Sequence, residues 1–380
     1  MDSNAFSAPD LQSSGFSFPC VVSDLPAPEE YLVWLKQAHA RNYFSNFGPL
    51  CEQLSNEMLA TFGFEKETCV PCASATAGLS AALIAANVSG FVLIPGFTFP
   101  ATASAVLAAG LTPLIIDVEE ESWVVGADEL DAALSRSGAK AAILVAPFGM
   151  HCDFSPHLNV CRQHDAVAVI DNAAGLGVVR THGGRGQNVF EVFSLHATKP
   201  MGIGEGGLIF CHETVEGRLK SALNFGLATY HQPAGPIWGF NGKLSELHAA
   251  IGLAQLRRRD WIVLGRQQFV TEYIRLAQNL PQLNTPDMAS RAPWQIFPIA
   301  MPDAASADRA EKAAMALGVE FRRYYRPSLS QWPGLKTIGP CPVSESLSSR
   351  MVALPVRSIT HAKQASELVG LAWKAVMSAI

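Results

Sequence analysis

Between about residues 65 and 210, short apolar runs alternate with segments of helical periodicity. No other feature restricts the architecture as much. The runs fall at 68–72, 91–94, 112–117, 141–146, 166–171 and 208–211. Between them, residues 74–86 place Leu79, Ala82, Leu83 and Ala86 on one face, and 101–109 is short and alanine-rich. Residues 128–135 begin with acids and turn Leu130, Ala133 and Leu134 inward, and 154–164 leads into the run that ends at Asp171. This strand–helix rhythm predicts an α/β fold with a mainly parallel sheet covered on both faces.

Beyond Gly207 the pattern changes. A helix is expected over 213–225, with Val215, Leu219 and Ala222 inward and Gly226 as its stop. A second begins near Ser245, turns Leu247, Ala250, Ile251 and Ala254 inward, and ends on Arg257, Arg258 and Arg259, where cations suit a helix C-terminus. A third covers 264–280. Residues 295–300 read as a strand, and a last helix runs from Thr360 with Ala365, Leu368, Val369, Ala372 and Val376 at helical spacing. The stretches 232–239 and 332–342, rich in Pro and Gly, read as loops. The expected division is a weakly ordered lead-in over 1–40, a large α/β domain over 41–260 and a smaller C-terminal α+β domain over 261–380.

With 49% hydrophobic residues the chain can build a large core. Its net charge of -5 and dispersed basic residues argue against a nucleic-acid surface. No apolar run has membrane-spanning length, and the N-terminus lacks the basic and apolar regions of a signal peptide. The eight cysteines are irregularly spaced, so a disulfide framework is not expected and a reducing cytoplasm is. Cys69-Val70-Pro71-Cys72 is formally a CxxC, but a metal site would need a second pair; no metal is expected.

Four places carry chemistry. Ser74-Ala75-Thr76-Ala77-Gly78 opens a helix directly after an apolar run, where free amides, a partial positive charge and the Thr76 hydroxyl suit a phosphate. The same residues also read as an ordinary serine N-cap. Phe99, in Pro95-Gly96-Phe97-Thr98-Phe99-Pro100, could stack on a flat ring or simply pack. Asp171 ends its apolar run, at the strand end where α/β sheets bind ligands. Lys199 follows in Ser194-Leu195-His196-Ala197-Thr198-Lys199, just before Gly204-Glu205-Gly206-Gly207, with Ser194 in reach of a phosphate. His196 reads as structural rather than as a base. A phosphate cradle, an aromatic, an acid and a lysine in that order suggest pyridoxal 5'-phosphate. The lysine amine would hold the coenzyme aldehyde as a Schiff base, and the acid would keep the pyridine nitrogen protonated.

These residues resemble the DegT/DnrJ/StrS-type, pyridoxal-phosphate-dependent sugar aminotransferases, which have the aspartate aminotransferase fold (fold type I). The likeness spans roughly 42–355. It rests on Asn46-Phe47-Gly48-Pro49, the 74–78 turn, Pro95-Gly96-Phe97-Thr98-Phe99 with Ala101-Thr102-Ala103, the 193–207 lysine segment, and Gly239-Phe240-Asn241-Gly242-Lys243-Leu244-Ser245-Glu246. It implies that Lys199 forms the internal aldimine and moves the proton, that Asp171 holds the pyridinium, and that Phe99 stacks on the ring. It further implies that Ala75, Thr76 and Ser194 bind phosphate, and that Asn241 reaches the coenzyme of a neighbouring subunit in a homodimer. Asn46, His196 and the Arg322-Arg323-Tyr324-Tyr325 segment, with Arg322 and Tyr324 foremost, are candidates for the sugar pocket. Members commonly carry Gln or His against the coenzyme's phenolic oxygen, where this chain has Ala174. The register that puts Asp171 rather than Asn172 at the acid position is preferred, because an amide cannot stabilise a pyridinium as an acid can.

The resemblance implies ping-pong transfer of an amino group from glutamate to a nucleotide-linked keto-sugar, giving an amino sugar for a surface polysaccharide or a secondary metabolite. A sugar dehydratase of the same fold would have histidine in place of Lys199. A non-catalytic, coenzyme-binding regulator is the other alternative, and no appended DNA-binding motif supports it.

Overall fold

The computed structural model describes residues 15–178, 180, 186–229, 232, 233, 235, 237–286, 292–358 and 362–380. The predicted alternation is present. In chain order the first half comprises α1 (Pro28–Arg41), α2 (Pro49–Phe62), β1 (Glu67–Cys72), α3 (Ala75–Ala85), β2 (Phe91–Pro95), α4 (Pro100–Ala108), β3 (Thr112–Ile116), α5 (Ala127–Ser137), β4 (Ala141–Val145), α6 (Ser155–Gln163) and β5 (Val167–Asp171). Then come β6 (Val189–Ser194), β7 (Gly207–His212), α7 (Glu216–Ala222), β8 (Leu227–Thr229), β9 (Gln232–Pro233), α8 (Glu246–Arg257) and α9 (Arg259–Ala277). The chain ends with β10 (Ile296–Ala300), α10 (Ala304–Ala316), β11 (Lys336–Thr337), α11 (Pro342–Arg350), β12 (Met351–Pro355) and α12 (Ala362–Met377).

Eight strands form one sheet in the order β1-β7-β6-β5-β4-β2-β3-β11. β7 is antiparallel to both of its neighbours, and the other pairings are parallel. Alternate residues of each strand enter different cores. Val169 packs with α3, α4 and α7 residues such as Leu83, Val106 and Leu219, while Ala168 and Ile170 join Leu134, Leu158 and the C-terminal elements. At the β1–β7–β6 end, Cys69, Phe193 and Phe210 are covered instead by α1, α2 and α8. The same period separates the CxxC thiols: Cys69 faces the α1–α2–α8 side and Cys72 the α3 side. Among the described residues no disulfide joins any of the eight cysteines. Among the described residues no helix is long and apolar enough to cross a membrane.

The structure differs from the sequence reading at several places. The lead-in carries α1, whose Trp34 and Ala38 are buried; residues 1–14 lie outside the described part. β6 was not expected as a strand because a glutamate interrupts it. Glu191 is nonetheless buried there, paired with the equally buried Arg180 at 2.7 Å. Leu247, expected inward, is exposed, since Ala249, Ala250, Leu253 and Ala254 set the phase of α8. The two expected loops each hold a two-residue strand, and Lys336–Thr337 joins the large sheet beside β3. A two-stranded sheet, β10 against β12, organises the C-terminal segment. The expected helix start at Thr360 and parts of the 232–239 loop lie outside the described residues.

Candidate active site

The parallel strands β5 and β6 both end at one rim of the sheet, where α/β proteins bind ligands. Asp171 is the last residue of β5 and is 7% exposed. Its Oδ2 accepts a hydrogen bond from Thr102 Oγ1 at 2.9 Å, and its Oδ1 accepts from the Ala173 amide at 3.3 Å. Thr102 is held in turn by Thr98, hydroxyl to hydroxyl, at 2.8 Å. Burial pushes the Asp171 carboxyl up; the Thr102 hydrogen bond and the Lys199 charge pull it back. The next residue turns away: Asn172 Nδ2 donates to Glu191 Oε1 at 2.9 Å, on the side of the Arg180–Glu67–Glu191 ion cluster. The residue that faces Thr102 and the field of Lys199 is therefore the acid, not the amide.

Lys199 lies beyond β6 on a loop shaped by its own backbone. The Lys199 amide donates to His196 O at 2.8 Å, the Ala197 amide to Gly204 O at 2.7 Å and the Gly202 amide to Lys199 O at 3.0 Å. A Cβ on Gly202 would lie 2.7 Å from His196 O, so only glycine permits that closure. Lys199 Nζ donates to Gln295 Oε1 at 2.9 Å. Burial pulls the amine down to about 8, against the opposing field of Asp171.

The helix α3 begins beside this pair. Ser74 is its N-cap, accepting from the Ala77 amide at 3.1 Å, and Ser74 O accepts from Gly78. The amides of Ala75 and Thr76 are then the two with no partner inside the helix. Register pairs Gly207 with both Cys72 and Ser194, which brings the α3 start next to the Ser194 side chain. The fit is tight, since a Cβ on Gly207 would lie 2.8 Å from Ala75 N. Ser194 Oγ accepts from the His196 amide at 3.2 Å and keeps its own proton to donate. Phe99 caps α4, and its ring is 56% exposed, with one edge against Tyr325 at 6.2 Å between centroids.

The profile of the DegT/DnrJ/EryC1/StrS aminotransferase family matches residues 28–371. The chain belongs to that family. It is 30% identical to Protein MT3510 of Mycobacterium tuberculosis, covering 89% of this chain and 85% of the relative. It is 23% identical to the dTDP-4-amino-4,6-dideoxy-D-glucose transaminase of Escherichia coli, covering 90% and 94%. A Bacillus cereus protein assigned as a PLP-dependent aminotransferase superposes with a TM-score of 0.85 at 25% identity, covering 94% of this chain and 99% of the other. The chain is an aminotransferase of fold type I with pyridoxal phosphate as its coenzyme. The residues fit that group. Among the described residues the buried Asp171 carboxylate is met by a hydroxyl and one peptide N–H, which leaves lone pairs for a cationic N–H; an exposed aromatic residue stands nearby, and two amides without a partner inside their helix lie beside a serine hydroxyl.

Asn46 sits in the left-handed region (φ 63°) just before α2, on a loop fixed by Glu246. The Glu246 carboxylate accepts from the Leu50 and Cys51 amides at 2.7 and 2.9 Å, while its own amide donates to Phe44 O. Two separate motifs of the sequence thus form one structural joint. Asn241 is exposed, and Gly242 beside it bonds the Ala73 amide at the start of the α3 turn. The His196 ring is engaged within its loop, Nδ1 with Thr198 Oγ1 at 2.9 Å and Nε2 facing Glu205 at 3.6 Å. Arg322 is bound to Glu320 and to the Tyr324 hydroxyl. Ala174 is buried and brings no polar side chain.

Two residues of the rim, Thr102 and Gln295, do not stand out in the sequence, and Tyr325 does so only as part of the 322–325 segment. Thr102 was quoted only as part of a motif; its hydroxyl on a helix that starts at a strand end was the available signal. Tyr325, rather than Tyr324, feels the charge of Asp171, and its ring is stacked on Phe148 at 5.3 Å. Gln295 reaches Lys199 from 96 residues away, and no local pattern announces it.

Proposed function

We propose that this aminotransferase moves an amino group from glutamate to a keto-sugar linked to a nucleotide, in two half-reactions of a ping-pong cycle. Pyridoxal phosphate, when bound, supplies an aldehyde that exchanges amines and a ring that draws off electrons when a carbon loses its proton. Lys199 carries the coenzyme through Nζ and, once released, moves the proton at the donor's α-carbon. Asp171 holds a proton at the ring nitrogen; its low-dielectric surroundings favour such a paired cation over a free carboxylate. The Ala75 and Thr76 amides and the Ser194 hydroxyl bind the phosphate, and Phe99 covers one face of the ring. Ala174 leaves the phenolic oxygen without a side-chain partner. Asn46 and Tyr324 line the sugar side, while the engaged ring of His196 and guanidinium of Arg322 suit shaping better than contact.

We further propose a homodimer in the cytoplasm, with residues 41–260 as the coenzyme-binding domain and 261–380 as the smaller one. Trp238 (85% exposed) and Phe225 (53% exposed) lie together beside Asn241 on one surface, which supports a second copy seated there. The eight cysteines form no disulfide among the described residues, which supports a reducing compartment.

The observation that carries the reading is the half-buried Lys199 amine and the buried Asp171 carboxyl, each within the other's field. Glutamate added to the coenzyme-loaded protein should bleach the coenzyme's visible absorbance and release 2-oxoglutarate; one keto-sugar from a nucleotide-linked panel should restore it. Borohydride reduction of the loaded protein should fix the coenzyme to the peptide bearing Lys199. Release of no 2-oxoglutarate, or a tag elsewhere, overturns the reading.

A further inference from the structure

Gln295 immediately precedes β10, in the C-terminal segment, yet its side chain ends in the coenzyme site. Oε1 accepts from Lys199 Nζ at 2.9 Å, and Nε2 faces Thr198 O at 3.3 Å and Thr198 Oγ1 at 3.5 Å. The orientation of the amide follows from chemistry. Thr198 O can only accept, so Nε2 must point to it, and the oxygen is left for the amine. The main chain is fixed as well. Buried Arg266, on α9, donates through Nη1 to Trp294 O at 2.9 Å and to Gln295 O at 3.4 Å, and through Nε to Ser358 Oγ at 3.1 Å. A side chain gripped at both ends is preorganised for whatever it holds.

We propose that Gln295 is the positioning residue for Lys199: its neutral amide holds the free amine in place whenever the lysine is not joined to the coenzyme. The inference rests on the reading of Lys199 as the coenzyme lysine. A free lysine chain has four rotors, and an amine that must re-attack the same carbon each turnover gains from a fixed resting place. The acceptor has to be uncharged. A carboxylate at that point would favour the ammonium, which cannot attack an aldehyde. The titratable groups around Nζ are few. Asp171 acts from β5, Tyr325 stands near Asp171, and His196 lies on the lysine's own loop, turned to Thr198 and Glu205. Arg266 is directed to main-chain oxygens behind the amide.

The test follows Lys199 in the coenzyme-free protein. Its reactivity toward isotopically labelled acetic anhydride is measured against pH and read by peptide mass spectrometry; the midpoint in the parent should be about 8. Gln295→Glu should raise that midpoint by about one to three units, leaving roughly tenfold less reactive amine at pH 8 for each unit. Gln295→Met and Gln295→Asn, which respectively delete and withdraw the acceptor, should lower the midpoint and slow capture of added pyridoxal phosphate about tenfold or more. Unchanged midpoints in Gln295→Glu and in whichever of the other two folds would overturn the proposal. If borohydride fixes the coenzyme elsewhere while the midpoints still shift, the lysine assignment has failed instead and the Gln295–Lys199 contact stands.

Discussion

Thr102→Val tests how the acid of the site is held. The change is nearly isosteric and removes the one side-chain donor to Asp171 among the described residues, a 2.9 Å bond between groups that are both buried. A hydrogen bond to a charged acceptor contributes about 1.5–3 kcal/mol, which at about 1.4 kcal/mol per unit displaces the carboxyl by roughly one to two pH units. The direction is upward, because the lost donor favoured the ionised form. Activity that needs ionised Asp171 should therefore fail earlier on acidification. The acid limb of kcat/KM for the amino donor should move up by that one to two units, with little loss on the alkaline plateau.

Stability gives a second readout with its own sign. Burial already raises the folded carboxyl above its ordinary value of 3.8, so its contribution to stability is fully present below that value and is lost as pH rises through the raised one. Removing Thr102's proton deepens the loss. The coenzyme-free variant should be less stable than the parent near neutral pH, and the two should converge below about pH 4. An acid limb that stays put, or a uniform loss of activity at every pH, would refute the reasoning and reduce Thr102 to a packing residue.

Gly207→Ala should push the α3 start away through a Cβ 2.8 Å from Ala75 N and weaken pyridoxal phosphate binding by about 10–100-fold in equilibrium titration, since misplaced amides no longer meet the phosphate. Glu246→Ala removes the carboxylate that accepts from Leu50 and Cys51 and should cost about 1–3 kcal/mol in denaturant unfolding. Arg180→Met leaves Glu67 and Glu191 buried without their cation and should destabilise by about 3–5 kcal/mol at neutral pH, with partial recovery in acid as the carboxylates take up protons.

The large sheet was legible because its strands are apolar on both faces and separated by helices with one inward face. β5 and its terminal Asp171, and α3 with its Ser74 cap, come straight from that pattern. One of the strands that escaped, β6, shows the limit. Glu191 is polar in the sequence, and only the fold brings Arg180 and Glu67 against it. The site divides in the same way. Lys199 and Asp171 could be read from neighbours within a few positions. Thr102 and Gln295 act across 69 and 96 residues, so their roles exist only once β5, α4 and the start of β10 meet at one rim. Glu246 was visible as part of a motif, but its work as a cap on α2 was not.

Burial moves the two central groups in opposite directions, and that pairing explains why the site is built from both. The acid is raised and the amine lowered, so each is displaced toward its uncharged form while the charge of the other restrains the shift. A protein that only stored a salt bridge here would place the two in direct contact. Instead Lys199 is tied to a neutral amide and Asp171 to a hydroxyl, so neither charge is directly paired with the other. The amine stays reactive near neutral pH, and the carboxylate retains its demand for a proton-bearing cation. Those are the two conditions that a coenzyme with an aldehyde at one position and a basic ring nitrogen at another would meet at once.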